Sequence, residues 1–224
     1  LTEREICVRF QVSRATANKA LSNLVAEGLL EFKKGIGTFV RGSREMDLNL
    51  RALVSFTDEA MAAGKHPSTR VLGFSKERAR KLDPAAQMAL RLDGEAEVFQ
   101  MRRLRLADRL PVILETRYVV AAHCPGLKRS EAGGSIYRLW MDKYKLAVES
   151  ADQTIRAVNL GAEDAAELGV RKGSAALLVS AVGYLAGGNP LWLEHTLYRA
   201  DAYAFVNRLG TIHRTGAPLG KFLG

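Results

Sequence analysis

SRATANKALSNLVAEGLLEFKKGIGTFV, residues 13–40, is the stretch on which the reading of this chain turns. Ser13 is a good N-cap for a helix from Arg14 to Glu27, and Gly28 stands where a helix end favours a left-handed backbone. Ala17, Leu21, Leu24 and Val25 share one face at a period of 3.6, with Thr16, Lys19 and Asn23 opposite and Arg14 at the helix start. Upstream, Thr2-Glu3-Arg4-Glu5 matches a capping box and opens a helix to about Phe10, leaving Gln11-Val12 as a tight connection. Helix, short turn, helix is the geometry in which a second helix enters a major groove. Downstream, two short apolar segments in Leu29–Val40 flank a Lys-Lys-Gly-x-Gly tip, which predicts a hairpin. As a wing, that hairpin would bring Lys33 and Lys34 to phosphate and the small Gly37 to the minor groove. Each piece alone has a plain structural alternative, a capped helix pair or a solvated lysine turn. Their order makes the set specific.

The rest of the composition agrees with a basic end on a nearly neutral body. The chain has 224 residues with net charge +9, and its first 44 residues carry 8 Lys/Arg against 4 Asp/Glu. Residues 45–207 carry 22 against 20, and the tail 208–224 carries 3 against none. Such asymmetry points to a polyanion partner for the N-terminal end. No apolar run reaches the roughly 18 residues of a membrane span, the richest, Ala175–Ala186, being broken by Ser180 and Gly183. Cys7 and Cys124 have neither disulfide-framework nor metal-ligand spacing, which predicts a reducing cytoplasm and neither metal nor cofactor. The start at Leu1, in what reads as mid-domain, is taken as a fragment boundary.

Past a polar stretch at Arg41–Glu45, the pattern changes to strands mixed with helices, the first helix being expected around Leu50–Ala63. No protease, P-loop or hydrolase motif occurs, and His66, His123, His195 and His213 are scattered, as structural or surface histidines are. The informative feature is charge inside strands. Val98–Ala107 (VFQMRRLRLA) places Phe99, Met101, Arg103 and Arg105 on one face, and Pro111–Val120 (PVILETRYVV) returns carrying Glu115. A three-residue loop between them would set Glu115 opposite Arg103, whereas a two-residue loop would put the two on opposite faces. Two arginines and a carboxylate form either a structural ion pair or a cleft that clamps an anion bidentately while Glu115 accepts from hydroxyl or amine groups.

Further candidates follow along the chain. Gly133-Gly134-Ser135 caps a helix over Ile136–Lys145, and Ser68-Thr69 offers hydroxyls before a strand at Arg70–Ser75. Strands are expected over Ala147–Val158, Ala175–Ala186 and Leu191–Tyr198, with a short helix Ala162–Leu168 stopped by Gly169. Glu194 and Tyr198 are possible pocket walls on the last strand. Antiparallel strands with segregated helices make an α+β fold.

Residues 1–40 resemble the second half of the winged helix-turn-helix of GntR-type bacterial transcription regulators. Thr2-Glu3-Arg4-Glu5-Ile6, Val12-Ser13-Arg14-Ala15-Thr16, Lys19-Ala20-Leu21, Glu27-Gly28-Leu29 and Gly35-Ile36-Gly37-Thr38-Phe39-Val40 carry the resemblance. It implies that Arg14 reads a guanine edge, that Ser13, Thr16 and Lys19 hold phosphates, and that Gly37 and Thr38 belong to the wing. Ala17-Asn18 stands where the family commonly has Val-Arg, so Asn18 takes the place of one DNA contact. The family's first helix has no counterpart in this sequence, which predicts weak or absent DNA binding by this chain.

The segment 56–207 resembles the UTRA domain of the HutC subgroup, through Arg103–Asp108 with Pro111, Leu114-Glu115, Gly134-Ser135-Ile136-Tyr137, Ala165–Gly169 and Asp201-x-Tyr203-x-Phe205. Arg109-Leu110 replaces the family's usual Gly-Glu in the hairpin turn. The resemblance implies an effector pocket lined by Thr69, Arg103, Arg105, Glu115, Ser135, Glu194 and Tyr198, with a sugar phosphate or a small carboxylate as ligand. The expected organisation is a winged helix-turn-helix over 1–41, a linker over 42–55 hinged near Ser43–Asp47, the UTRA domain over 56–207, and a basic tail over 208–224. The expected function is a homodimeric repressor, not an enzyme, binding double-stranded operator DNA under control of an anionic metabolite. Two alternatives stand beside it: a lyase acting on an aromatic carboxylate, because UTRA domains resemble chorismate lyase in fold, and a ligand-binding module without DNA-binding activity.

Overall fold

The computed structural model describes residues 3–26, 30–33, 37–40, 46–49 and 55–206. Helices α1 (Glu3–Phe10) and α2 (Arg14–Ala26) fall where the caps place them. Ser13 Oγ accepts from the Thr16 backbone N–H at 3.1 Å. Ala17 is buried and Leu21, Leu24 and Val25 are half-buried, whereas Thr16, Lys19 and Asn23 are exposed. The wing is strands β1 (Leu30–Lys33) and β2 (Gly37–Val40), antiparallel with Lys33 opposite Gly37. Gly37 has φ +138°, a conformation only glycine takes without strain. The expected helix stop at Glu27-Gly28 and the hairpin tip with Lys34 lie outside the described residues.

The expected linker contains a strand. Met46–Asn49 forms β3, and it pairs in parallel with the last strand, Tyr203–Val206. The polar composition of this region hid it, because a two-stranded parallel pair draws its partner from the far end of the chain. The helix expected from Leu50 is described over Phe56–Ala62 (α3), where Ser55 caps the N-terminus by accepting from Asp58 N–H; residues 50–54 lie outside the described set.

The remaining elements follow as β4 (Pro67–Arg78), α4 (Pro84–Ala89), β5 (Glu97–Ala107), β6 (Leu110–Val120), α5 (Ile136–Asp142), β7 (Val148–Asn159), α6 (Ala162–Glu167), β8 (Ala175–Leu185), β9 (Asn189–Arg199) and β10 (Tyr203–Val206). Strand β4 starts earlier than expected, so Ser68 and Thr69 lie inside it, and α5 ends earlier, at Asp142. Helix α4, begun by Pro84 and capped by Asp83, was not anticipated.

Strands β4–β9 form one antiparallel sheet in the order β4-β5-β6-β9-β8-β7. One face carries an apolar cluster of Phe99, Met101, Val119, Trp140, Leu191 and Trp192 under α5, and beside it α3 seats Phe56 and Ala60 against Ala107, Val112 and Ile113. The opposite face packs Leu104, Leu114 and Ala176 under α6, and Val98, Val120 and Leu193 under α4. The fold is α+β, with helices on both faces of the sheet.

The hairpin β5–β6 resolves the two loop options in an unanticipated way. Its turn has two residues, Asp108 and Arg109, both at positive φ (49° and 69°), as a tight hairpin of this length requires. Ala107 pairs with Leu110 and Leu106 with Pro111, but Arg105 pairs with Ile113. Val112 is therefore a bulge, and that extra residue shifts the register by one. Arg103 comes to stand opposite Glu115, on the same face, despite the short turn.

Candidate ligand site and nucleic-acid interface

The period-2 alternation of three neighbouring strands concentrates charge on the face covered by α3 and α5. Strand β5 contributes Arg103 and Arg105, β6 contributes Glu115 and Arg117, and β9 contributes Glu194, all buried. Glu115 sits at the centre. One carboxylate oxygen accepts from Arg103 Nη2 and lies 2.9 Å from Arg117 Nε; the other lies 3.6 Å from Arg105 Nε. Arg117 is bonded in turn to Glu194 and is boxed by the rings of Tyr137, Trp140 and Trp192, each centred about 5.4–5.5 Å from its guanidinium carbon. Arg105 lies over the Phe56 ring and donates to Thr69 Oγ1 at 2.7 Å.

The electrostatics follow from burial. Dehydration alone would raise the proton affinity of Glu115, but the guanidinium groups of Arg103, Arg117 and Arg105 outweigh it and hold the carboxyl well below the usual range. Glu194, with one close guanidinium, is pushed up by burial despite Arg117. Burial lowers the affinity of Arg103 and Arg105 for their protons, more than Glu115 restores. Three guanidinium groups against these two carboxylates leave one buried positive charge in excess while Glu59, which lies beside them on α3, is protonated.

A small cavity of about 50 Å³ opens onto this cluster, lined by Phe56, Glu59, Arg105, Glu115, Arg117, Tyr137, Glu194, Thr196 and Tyr198 among others. Glu59, on α3, has its pKa pushed up to about 7 by burial and by the neighbouring Asp58. Buried hydrogen-bonding atoms here lack a partner: Arg105 Nε, Arg117 Nη1 and Thr196 Oγ1. The carbonyl of Gly134 accepts from Nη1 of both Arg103 and Arg105, at 3.3 Å each, and Ala132 O accepts from Arg103 at 3.2 Å. The loop before α5 thus lays backbone oxygens on the two arginines.

Of the sequence candidates, Arg105, Glu115, Glu194 and Tyr198 line the cavity, and Thr69 touches it through Arg105. Arg103 does not line it. It is wholly buried behind Glu115 and orients that carboxylate. Ser135 does not line it either, and its hydroxyl caps α5 by accepting from Arg138 N–H. Arg117 was missed, although two residues beyond Glu115 it must share that face. Glu59, Phe56, Tyr137 and Thr196 carry no local signal, because tertiary packing alone brings them in.

In the helix-turn-helix, Arg14, Thr16, Asn18 and Lys19 are exposed on α2. Arg14 pairs with Glu3 at 3.1 Å, and Ser13 Oγ lies 2.9 Å from Thr16 Oγ1. Thr38 pairs across the wing with Phe32; the side chain of Lys33 lies outside the described residues. On the far face of the sheet Ser180 and His195 share a hydrogen bond at 3.0 Å, away from the charged cluster. Among the described residues there is no cluster of potential metal ligands and no helix long and apolar enough to cross a membrane.

Comparison with known proteins agrees with this layout. The model of the UTRA domain matches residues 62–204, and that of bacterial regulatory proteins of the gntR family matches residues 1–40. The chain belongs to the GntR family. It is a transcriptional regulator of the type that joins a helix-turn-helix to a UTRA domain. It is 32% identical over 209 residues to the HTH-type transcriptional repressor NagR of Bacillus subtilis, covering 92% of this chain and 83% of that protein. A "probable fructoselysine utilization operon transcriptional repressor" of Escherichia coli is 27% identical over 201 residues, 89% of this chain and 81% of that protein. Among solved structures, PhnF from Mycobacterium smegmatis superimposes with a TM-score of 0.71 at 27% identity, covering 95% of this chain and 92% of that one. The effector domain of PhnF alone gives 0.67 at 25% identity, covering 74% and 99%.

Proposed function

We propose that this GntR regulator is a cytoplasmic, homodimeric repressor that binds operator DNA and is controlled by a small anionic metabolite held at Arg105 and Arg117. The observation that carries the ligand class is the buried excess of positive charge, with Arg105 Nε and Arg117 Nη1 making no hydrogen bond at the cavity. A buried charge without a counter-charge is costly, and an anion offsets that cost. A cavity of about 50 Å³ holds a few waters and is too small for a hexose phosphate. A sugar phosphate or small carboxylate therefore enters only when the loop before α5 withdraws the Gly134 carbonyl from the arginines. That displacement is a two-state event, and a ligand that favours one state shifts operator affinity by linkage, typically ~1–3 kcal/mol.

In this reading α2 enters the major groove, with Arg14 exchanging Glu3 for a guanine edge and Thr16, Asn18 and Lys19 facing the backbone, while Ser13 sets the helix start. Lys33, Lys34, Gly37 and Thr38 form the wing contacts. The winged helix-turn-helix would end near residue 41 and the UTRA domain run over 56–207. The lyase alternative has less support, since Glu115 is held ionised between guanidinium groups and is a poor proton donor. Incubation with chorismate tests it, and turnover would favour it.

The experiment for the leading reading is a thermal-shift screen of the chain against sugar phosphates and small carboxylates. An anion that raises the melting temperature, and loses the effect in Arg105→Ala, supports the site. Stabilisation by neutral sugars alone would overturn it.

A further inference from the structure

Alternation along the strands gives the sheet a second face with a pattern of its own. On β5, β6 and β9 the residues between those of the charged cluster are Arg102, Thr116 and His195, and they point away from it, to the side of α4 and α6. The register sets them side by side and continues the row through Ser180 on β8 and Thr154 on β7. Next to this polar row, Leu114, Leu197 and Leu178 stand in register on β6, β9 and β8. Neighbouring strands lie about 4.8 Å apart, so the leucines make a flat apolar floor roughly 10 Å wide.

A cleft of about 340 Å³ lies over both rows, beside the start of α6. Pockets that hold small molecules run from about 300 to 1,000 Å³, and the cavity at Arg105 is far smaller. Only part of the polar capacity here is used internally. His195 shares Nδ1 with Ser180 Oγ at 3.0 Å, which leaves its other ring nitrogen to a ligand, and the Thr116 hydroxyl and the Asn159 amide open onto the same space. Arg102 reaches the cleft as well, but its Nη2 is held by Asp164 at 3.0 Å and by Glu163 at 3.4 Å. The two carboxylates more than cancel that cation. Unlike the arginine cluster, this cleft offers no surplus positive charge to an anion.

We propose that the cleft is a second ligand site, for an uncharged planar heterocycle of the nucleobase or nucleoside class. The ring system lies face-down on Leu114, Leu178 and Leu197, with the polar atoms of its edge against Thr116, His195 and Asn159. Hydroxyl, neutral imidazole and amide groups each both donate and accept, so they match an edge that carries donors and acceptors together. Thr116 lies between Glu115 and Arg117 on β6, and His195 between Glu194 and Thr196 on β9, so the two sites sit back to back on the same strands. The proposal goes beyond the anion site and depends on neither its ligand nor the operator.

The test is an isothermal titration of the chain with adenosine, guanosine and uridine. At least one should bind with a dissociation constant below roughly 1 mM. His195→Ala and Thr116→Val should each weaken that binding at least roughly fivefold. The Hε1 proton resonance of His195, assigned by its loss in His195→Ala, should move during the titration of the wild type, which places the ligand without relying on any variant's affinity. Benzoate, planar but anionic, should leave that resonance where it is. Absence of binding by all of the nucleosides, binding that does not move the His195 resonance, or a benzoate response as strong as the nucleoside's would overturn the site. Any of these would leave the anion reading standing, because that reading is tested by charged ligands against Arg105→Ala.

Discussion

Replacing Glu115 by Gln keeps its size and removes the charge that three guanidinium groups share. Glu115 is 4% exposed, and its oxygens meet Arg103, Arg117 and Arg105. The variant leaves three buried cations facing Glu194 alone. Removing one partner of a buried ion pair costs about 3–5 kcal/mol, because the partner stays buried and uncompensated. For a chain of this size that corresponds to a fall in melting temperature of roughly 6–20 °C. Differential scanning calorimetry at neutral pH reads the shift. The pH dependence carries the same signature. The folded pKa of Glu115 is depressed from its ordinary 4.5, so its stabilisation is present above that value and is lost as pH falls through the lower folded value. The gap between wild type and Glu115→Gln should therefore persist down to about pH 4 and narrow only below it. Added sulfate should stabilise the variant more than the wild type, since the buried excess has doubled. A variant melting within about 2 °C of the wild type, with no greater response to sulfate, would refute the charge balance argued here.

Other perturbations test separate parts of the account. Glu59 is neutral below about pH 7 and ionised above it, so sulfate, whose own charge is constant, should bind more tightly at pH 6 than at pH 8; Glu59→Gln should flatten that profile in a calorimetric titration. The groups around Glu59, namely Asp58, Arg105, Tyr198 and Tyr203, do not change charge between those limits. Gly183 lies under the Trp192 ring, where an added Cβ would fall 1.8 Å from a ring carbon. Gly183→Ala should destabilise by about 1–3 kcal/mol in urea melts and disturb the ring that boxes Arg117. Arg14→Ala should lose roughly 1–3 kcal/mol of discrimination between operator and random duplex, measured by competition; unchanged discrimination would remove Arg14 from base reading.

The parts of the molecule set by local rules were legible in the sequence. Thr2 through Glu5 and Ser13 marked α1 and α2, alternation in VFQMRRLRLA marked β5 and its two arginines, and Gly169 marked the stop of α6. What was hidden depends on contacts between distant segments. Strand β3 exists by pairing with β10, from the other end of the chain. The Val112 bulge, which decides that Arg103 faces Glu115, has no sequence signature in PVILETRYVV. The division of labour between the arginines was equally hidden. Periodicity put Arg103 and Arg105 on one face, but depth along the strand separates the buried Arg103 from the cavity-lining Arg105. Glu59 was unreadable because its environment is made by strands far from it in sequence.

The most direct test of the central claim is a calorimetric titration of the chain with hexose phosphates beside the parent hexoses, repeated with Arg105→Ala. The account predicts heat from at least one phosphate, none from its neutral parent, and none from either in the variant. Equal binding of charged and neutral sugars, or an undiminished signal without Arg105, would contradict it.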